Sequence, residues 1–265
     1  MTVTARNNVV LTGDPGAPAM VFAHGFGCDK SMWRFVAPAF EQTYRVVLFD
    51  HVGAGGSDLG AYDPSRYASL DGYAQDVVEI VEALELGPVT FVGHSVSAMV
   101  GLLASVQRPD LFEQLVLVGP SPRYIDDDGY RGGFSAAEID ELLETMDANY
   151  LGWSAFIAPV IMGNPDRPEL GEELTNSFCR TDPAIARRFA RTTFLSDNRA
   201  DLAAVTTPSL VVQCRQDVIA PPEVGRYVHE HLTGSEFVQI DAVGHCPNLS
   251  APELLVTAMT AYLDR

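Results

Sequence analysis

Three side chains in this sequence have the types that acyl transfer to a hydroxyl requires, each placed just past an apolar run. Ser95 sits at the bend of Val89-Thr-Phe-Val-Gly-His-Ser95-Val-Ser-Ala-Met99, where a β-branched stretch passes through Gly93 into a small-residue helical segment. A sharp strand-to-helix turn of this kind lifts the serine Oγ clear of the backbone, beside the free N–H groups of a helix N-terminus. The Gly-x-Ser-x-Gly pattern is incomplete. Its fifth position is Ser97, so the close approach of helix and strand that glycine permits must accommodate a hydroxymethyl group. Ser209-Leu-Val-Val-Gln-Cys-Arg-Gln-Asp217 is a strand followed by a polar turn with an acid at its tip, and Glu236-Phe-Val-Gln-Ile-Asp-Ala-Val-Gly-His245 repeats the arrangement with a histidine. A serine hydroxyl is a poor nucleophile until a neutral imidazole takes its proton. The imidazole in turn needs a carboxylate to fix its tautomer and stabilise its charged form. Asp241 is the rival acid, but it stands only four residues before His245, and the geometry favours Asp217.

A fourth feature lies upstream. Ala19-Met-Val-Phe-Ala-His24-Gly-Phe26-Gly27 is a short apolar strand running into a glycine-bracketed loop. Alone, His24-Gly-Phe-Gly is a plain turn. Beside a nucleophile elbow, the Phe26 N–H and the Val96 N–H would together form an oxyanion hole.

These residues meet only if the elements carrying them share one edge. Alternation of strand and helix is legible along the chain: strands at 8–11, 20–23, 45–49, 90–92, 115–118, 210–213 and 237–240, and helices beginning near Ser31, Ser69, Ser95 and Pro221, with a capping box Ser250-Ala-Pro-Glu253 before the last. The later strands are apolar enough to be buried on both faces, which implies a mainly parallel sheet covered by helices. In such a sheet the carboxyl ends of the strands lie along one crevice, so Ser95, Asp217 and His245 can converge. The alternation breaks between about 119 and 197. There helix signals follow one another, including the capping box Ser135-Ala-Ala-Glu138 and Asp182 before Pro183. The division expected is a core of 1–118 with 198–265 and a helical lid at 119–197 above Ser95. Tyr124, Phe134, Trp153, Phe156, Phe178, Phe189 and Phe194 fall in that insertion, and three to five of them are expected to face a dry apolar pocket.

Composition narrows the functional classes. The chain has 265 residues and 47% hydrophobic composition, enough for one large α/β domain with a substantial core. A net charge of −18 opposes nucleic-acid backbones and strongly anionic substrates. No apolar run of about 18 residues is available to span a bilayer. The start, Met1-Thr-Val-Thr-Ala-Arg-Asn-Asn, lacks the features of a secretion signal, so a cytoplasmic location is expected. Cys28, Cys179, Cys214 and Cys246 have no metal-ligand spacing and read as reduced thiols, with no metal and no cofactor expected.

His24-Gly-Phe-Gly, Arg45-Val-Val-Leu-Phe-Asp50, Gly93-His-Ser-Val-Ser-Ala-Met99, Arg108-Pro-Asp-Leu-Phe112, Ser121-Pro-Arg-Tyr124, Gly132-Gly-Phe134 and Gly244-His-Cys-Pro247 resemble the family that joins bacterial sigma-B energy-stress regulators to the plant karrikin and strigolactone receptors. The similarity runs nearly end to end. It implies an α/β-hydrolase fold with a V-shaped, four-helix lid inserted after the strand near residue 118, a Ser-His-Asp triad on Ser95, Asp217 and His245, and weak hydrolysis of small lactones or esters. It implies a pocket at Phe26, Tyr124, Phe134, Leu142, Trp153, Ile157, Phe194, Val218 and Ile219. Ile157 stands where plant members more often carry an aromatic. A protein partner at the lid, a sensor phosphatase in the bacterial branch, is also implied. Two readings follow: a serine hydrolase for a small apolar ester or lactone, or a ligand-sensing regulator with slow hydrolysis. A third, the cofactor-free haloperoxidase-like or lyase use of the scaffold, needs only a changed pocket.

Overall fold

The computed structural model describes residues 1–264. Among them, β1 (Val10–Thr12), β2 (Ala19–Ala23), β3 (Arg45–Leu48), β4 (Val89–His94), β5 (Phe112–Val118), β6 (Ser209–Gln216) and β7 (Ser235–Val243) form one sheet in the order β1-β3-β2-β4-β5-β6-β7. Only β1 runs antiparallel to its neighbour. The first strand begins later than the sequence pattern indicates, because Asn8 takes a left-handed backbone (φ 46°) and turns its amide onto Asp50.

Side-chain alternation decides which face each strand residue covers. Val21, Val47, Phe91, Leu115 and Leu117 belong to one core layer, and Met20, Phe22, Val46, Val92, Val116 and Val118 to the opposite one. Among the described residues ten α-helices accompany the strands: α1 (Val3–Arg6), α2 (Leu70–Ala83), α3 (Val96–Gln107), α4 (Ala136–Ala148), α5 (Tyr150–Met162), α6 (Pro168–Arg180), α7 (Pro183–Phe194), α8 (Pro222–His231), α9 (Pro247–Ser250) and α10 (Pro252–Leu263). α2 and α3 cover the first layer with Tyr73, Val77 and Leu102, while α10 covers the second with Leu255 and Met259 beside Trp33 and Phe40.

Two expected starts resolve differently. The helix near Ser31 is a 3₁₀ turn, Lys30–Trp33, capped by Asp29 Oδ1 accepting from Ser31 N at 2.8 Å; a second 3₁₀ turn follows at Ala37–Phe40, where Pro38 cannot donate to a continuing α-helix. Ser250 is not the cap of α10. Pro252 takes the first helical position after Ala251, and the Ser250 hydroxyl turns back to Cys246 O at 3.2 Å.

Between β5 and β6 the chain forms the helical insertion α4–α7, with isolated bridges (Arg123 to Asp197, Ile125 to Phe134) in place of strands. Its start signals act as read. Ser135 Oγ accepts from Glu138 N at 3.2 Å while Glu138 Oε2 accepts from Ser135 N at 2.7 Å, and Asp182 Oδ1 accepts from Ala184 N and Ile185 N. The insertion has its own apolar centre, with Ile139, Leu143, Met146, Trp153, Ile161, Leu174 and Phe178 continuous with Tyr124, Phe194, Ile219 and Cys246 from the site below.

Candidate active site

β4 ends at His94, and Ser95 takes φ 58° and ψ −124°, a conformation that non-glycine residues rarely adopt. The bend is possible because β4 and α3 touch at Gly93: a Cβ there would stand 2.3 Å from Ser97 O. Close approach thus depends on the glycine two residues before Ser95, which leaves the fifth motif position free to be serine. Ser95 N donates to Val118 O at 2.8 Å, tying the turn to the end of β5.

The turns after β6 and β7 bring the partners to the same point. His245 Nε2 lies 2.7 Å from Ser95 Oγ, and His245 Nδ1 lies 2.7 Å from Asp217 Oδ2. The other carboxylate oxygen, Asp217 Oδ1, accepts from Ile219 N at 2.8 Å and Ala220 N at 3.0 Å. An ionised carboxylate only accepts, so the imidazole proton is on Nδ1 and Nε2 is left to receive the Ser95 proton. The histidine backbone is clamped as well: His245 N donates to Ile161 O in α5, and His94 Nε2 donates to His245 O at 2.8 Å. Burial holds the His94 pKa down at about 3, so this clamp stays neutral. Asp241 is elsewhere, with its side chain 78% exposed and paired with Arg215.

The Phe26 N–H makes no hydrogen bond with any described residue, and the Val96 N–H is the first of α3, without an intrahelical acceptor. Gly27 keeps the loop against the lid; at φ 72° a Cβ would fall 2.0 Å from the Phe178 ring.

Above Ser95 lies a cavity of about 30 Å³ lined by Phe26, Cys28, His94, Ser95, Tyr124, Ile161, Leu174, Phe178, Thr193, Phe194, Ile219, His245 and Cys246. Small-molecule sites usually hold several hundred Å³, so the rings must part to admit a ligand. Phe26 is their hub, with centroids 5.7 Å from Phe178, 6.2 Å from Phe194 and 6.4 Å from Trp153. Of the pocket positions expected from the sequence, Phe26, Tyr124, Phe194 and Ile219 line the cavity. Trp153 stacks behind Phe178, Phe134, Leu142 and Ile157 pack at the margin of the apolar cluster, and Val218 is half exposed. Among the seven lid aromatics, Tyr124, Phe178 and Phe194 reach the cavity, whereas Phe189 stacks on Tyr73 in the core and Phe156 is 73% exposed.

Sequence reasoning did not place Cys28, His94, Ile161, Leu174, Thr193 or Cys246 in this lining. A GHS tripeptide marks His94, but the others carry no local signal. Burial pushes the Cys28 and Cys246 thiols well up, which keeps them protonated and poor nucleophiles. Burial likewise pushes the Tyr124 phenol up to about 12, against the opposing pull of the Ser95 hydroxyl beside it. Among the described residues no cluster of three His, Cys, Asp or Glu could hold a metal ion, and no helix is long and apolar enough to cross a membrane.

Comparison with known proteins agrees with the architecture. The profile of the "Alpha/beta hydrolase family" matches residues 20–258. The chain belongs to that family. It is 40% identical to the probable esterase D14L of Oryza sativa subsp. japonica, an alignment covering 99% of this chain and 97% of the other. It is 38% identical to the karrikin insensitive 2 receptor CA of Petunia hybrida, over 98% and 97% of the two chains. The structure of the hydrolase olei00960 from Oleispira antarctica superposes with a TM-score of 0.96 at 41% identity, covering 99% of this chain and 96% of that one. This alpha/beta hydrolase is thus related to both enzymes and receptors.

Proposed function

We propose that the protein is a serine hydrolase that cleaves a small, largely apolar ester or lactone through an acyl-enzyme. The observation that carries this reading is the unbroken hydrogen-bond chain Ser95–His245–Asp217, opening onto an apolar cavity. Ser95 Oγ attacks the carbonyl carbon as its proton passes to His245 Nε2, and the Phe26 and Val96 N–H groups hold the resulting oxyanion. Collapse of the tetrahedral intermediate returns that proton to the leaving alkoxide, which for a lactone stays attached to the acyl group. Water activated by His245 then releases the acid. Thr193 Oγ1 is buried, lines the cavity and has no partner among the described residues, so it is available to a carbonyl or ether oxygen of the substrate. The names of two relatives, a probable esterase and a hydrolase, support the same chemical class. Intact-mass analysis during incubation with a panel of small lactones and aryl esters tests the reading: a transient acyl adduct on wild-type protein, absent in Ser95→Ala, is expected. Turnover without any dependence on Ser95 refutes it.

One observation favours a signalling role for the same site. α5 contains no charged residue and leaves Leu151, Phe156 and Val160 59%, 73% and 43% exposed, beside a groove of about 550 Å³ that includes Pro159, Met162 and Gly171. Apolar surface of this kind on a lid helix suits a protein partner that reads the state of the cavity. The discriminating measurement is hydrogen exchange of α4–α7 with and without a slowly hydrolysed lactone. Unchanged exchange together with turnover in the ordinary enzymatic range of about 1 to 1000 per second supports a metabolic enzyme alone.

A further inference from the structure

Two histidines near the nucleophile take no part in the proton path, yet both are completely buried, as is Ser97. Their hydrogen bonds define every proton. His51 N can only donate, and it reaches His24 Nε2 at 3.1 Å, so that nitrogen accepts and the His24 proton is on Nδ1. From there it is donated to Gly25 O at 2.8 Å. Ser97 Oγ spends its single proton on His24 O at 2.5 Å and must accept from His51 Nε2 at 2.7 Å. His51 therefore carries its proton on Nε2. Its Nδ1 is left as a bare lone pair, in keeping with the absence of any partner there among the described residues.

The Gly25 carbonyl that His24 holds belongs to the peptide whose other end is the Phe26 N–H. We infer that His24, His51 and Ser97 are positioning residues that aim this N–H at the oxyanion, with Ser97 pinning the loop to the helix that supplies the Val96 N–H. The inference rests on the reading of Phe26 and Val96 as oxyanion donors. Rotation of the Gly25–Phe26 peptide would strip the His24 Nδ1 proton of its acceptor in a site without water access, so the network resists the turn. Ser97 is one residue past Val96, so its bond to His24 O sets the spacing between the two donors. The serine that departs from the usual glycine thus has a task. Glycine at 97 would leave His24 O and His51 Nε2–H facing each other's loops without the hydroxyl that joins them.

The test is steady-state hydrolysis of p-nitrophenyl acetate, with inhibition by an aryl trifluoromethyl ketone whose hemiketal oxyanion occupies the same hole. Loss of a whole donor lowers kcat by about a hundredfold to a thousandfold elsewhere. A donor present but free to turn should lose part of that, so Ser97→Ala and His24→Gln are expected to lower kcat about tenfold to a hundredfold. KM should stay within about twofold, and ketone inhibition should weaken by the same factor as kcat, since both report the oxyanion rather than ground-state binding. His24→Asn places an amide N–H near the Nδ1 position and should restore kcat to within about threefold of wild type, a rescue that a merely structural role would not produce. Circular dichroism normalises each rate to folded protein, and the two amides at position 24 keep the comparison decisive if Ser97→Ala unfolds. Equal kcat for His24→Asn and His24→Gln, or a loss in KM without a loss in ketone affinity, overturns the positioning role. Ser95→Ala run alongside separates the two claims, because wild-type turnover in that variant removes the proposed nucleophile itself.

Discussion

Replacing Asp217 with asparagine exposes the tautomer argument to a direct trial, and the structure decides how the new amide must sit. Asp217 Oδ1 is held by two backbone donors, Ile219 N and Ala220 N, so the asparagine carbonyl oxygen has to stay there. Its NH₂ then faces His245 Nδ1, which carries a proton in the wild type. Two donors cannot share one hydrogen bond. The imidazole resolves the conflict by moving its proton to Nε2, where it points at Ser95 Oγ and can no longer accept the serine proton. The reverse orientation of the amide would set NH₂ against two N–H groups in a buried site and lose both bonds. Wrong-tautomer variants of such triads lose about ten-thousandfold in kcat, equivalent to about 5.5 kcal/mol of barrier at about 1.36 kcal/mol per decade. Hydrolysis of p-nitrophenyl acetate under saturating conditions measures it, with thermal unfolding as the check that the fold persists. Asp241→Asn, on a largely exposed side chain paired with Arg215, is expected to retain full activity. An Asp217→Asn rate within tenfold of wild type, or a crippled Asp241→Asn, would refute the assignment.

Ser95→Ala should reduce ester hydrolysis by about a thousandfold to a millionfold, leaving what the proposed oxyanion donors alone support; a burst of p-nitrophenol that persists in the variant speaks against Ser95 as nucleophile. Trp153 stacks between Tyr150 and Phe178, behind the lining, so Trp153→Ala should lower folding stability by about 3 to 5 kcal/mol in urea titrations, whereas Phe194→Ala should also change affinity for an apolar ligand. His94 has a folded pKa of about 3 against 6.5, so the unfolded chain binds the extra proton across that interval and stability falls as pH drops through it. Linkage gives about 2 kcal/mol lost between pH 7 and pH 5, and His94→Asn should remove about one proton from the slope of unfolding free energy against pH; a slope that the variant leaves unchanged contradicts this.

Much of the site could be read from local pattern, because the physics behind it is local. The turn at Ser95 follows from a β-branched strand, Gly93 and small residues in sequence. The side-chain caps at Ser135 and Asp182 satisfy N–H groups two or three positions away, and strand alternation sorts residues to the two faces of the sheet whatever the neighbouring strands are. Chain order alone placed Asp217 and His245 at strand ends. Local pattern failed where two local solutions compete. Ser250 has the spacing of a cap, yet Pro252 sits as well one position nearer the helix start, and the free hydroxyl turns back to the preceding turn. The outline of the cavity was not legible at all. α5 is apolar around its whole circumference, so no periodicity says whether Trp153, Phe156 or Ile161 faces Ser95; its packing against α4 and α6 decides. The network behind the Gly25–Phe26 loop was equally hidden. Ser97 and His51 are 46 residues apart, on the helix after β4 and the loop after β3, and they meet only because β2, β3 and β4 lie side by side and bring their carboxyl ends to one buried edge. Hydrogen bonds between distant segments depend on that register, which is a property of the assembled sheet and leaves no trace in either segment's own composition.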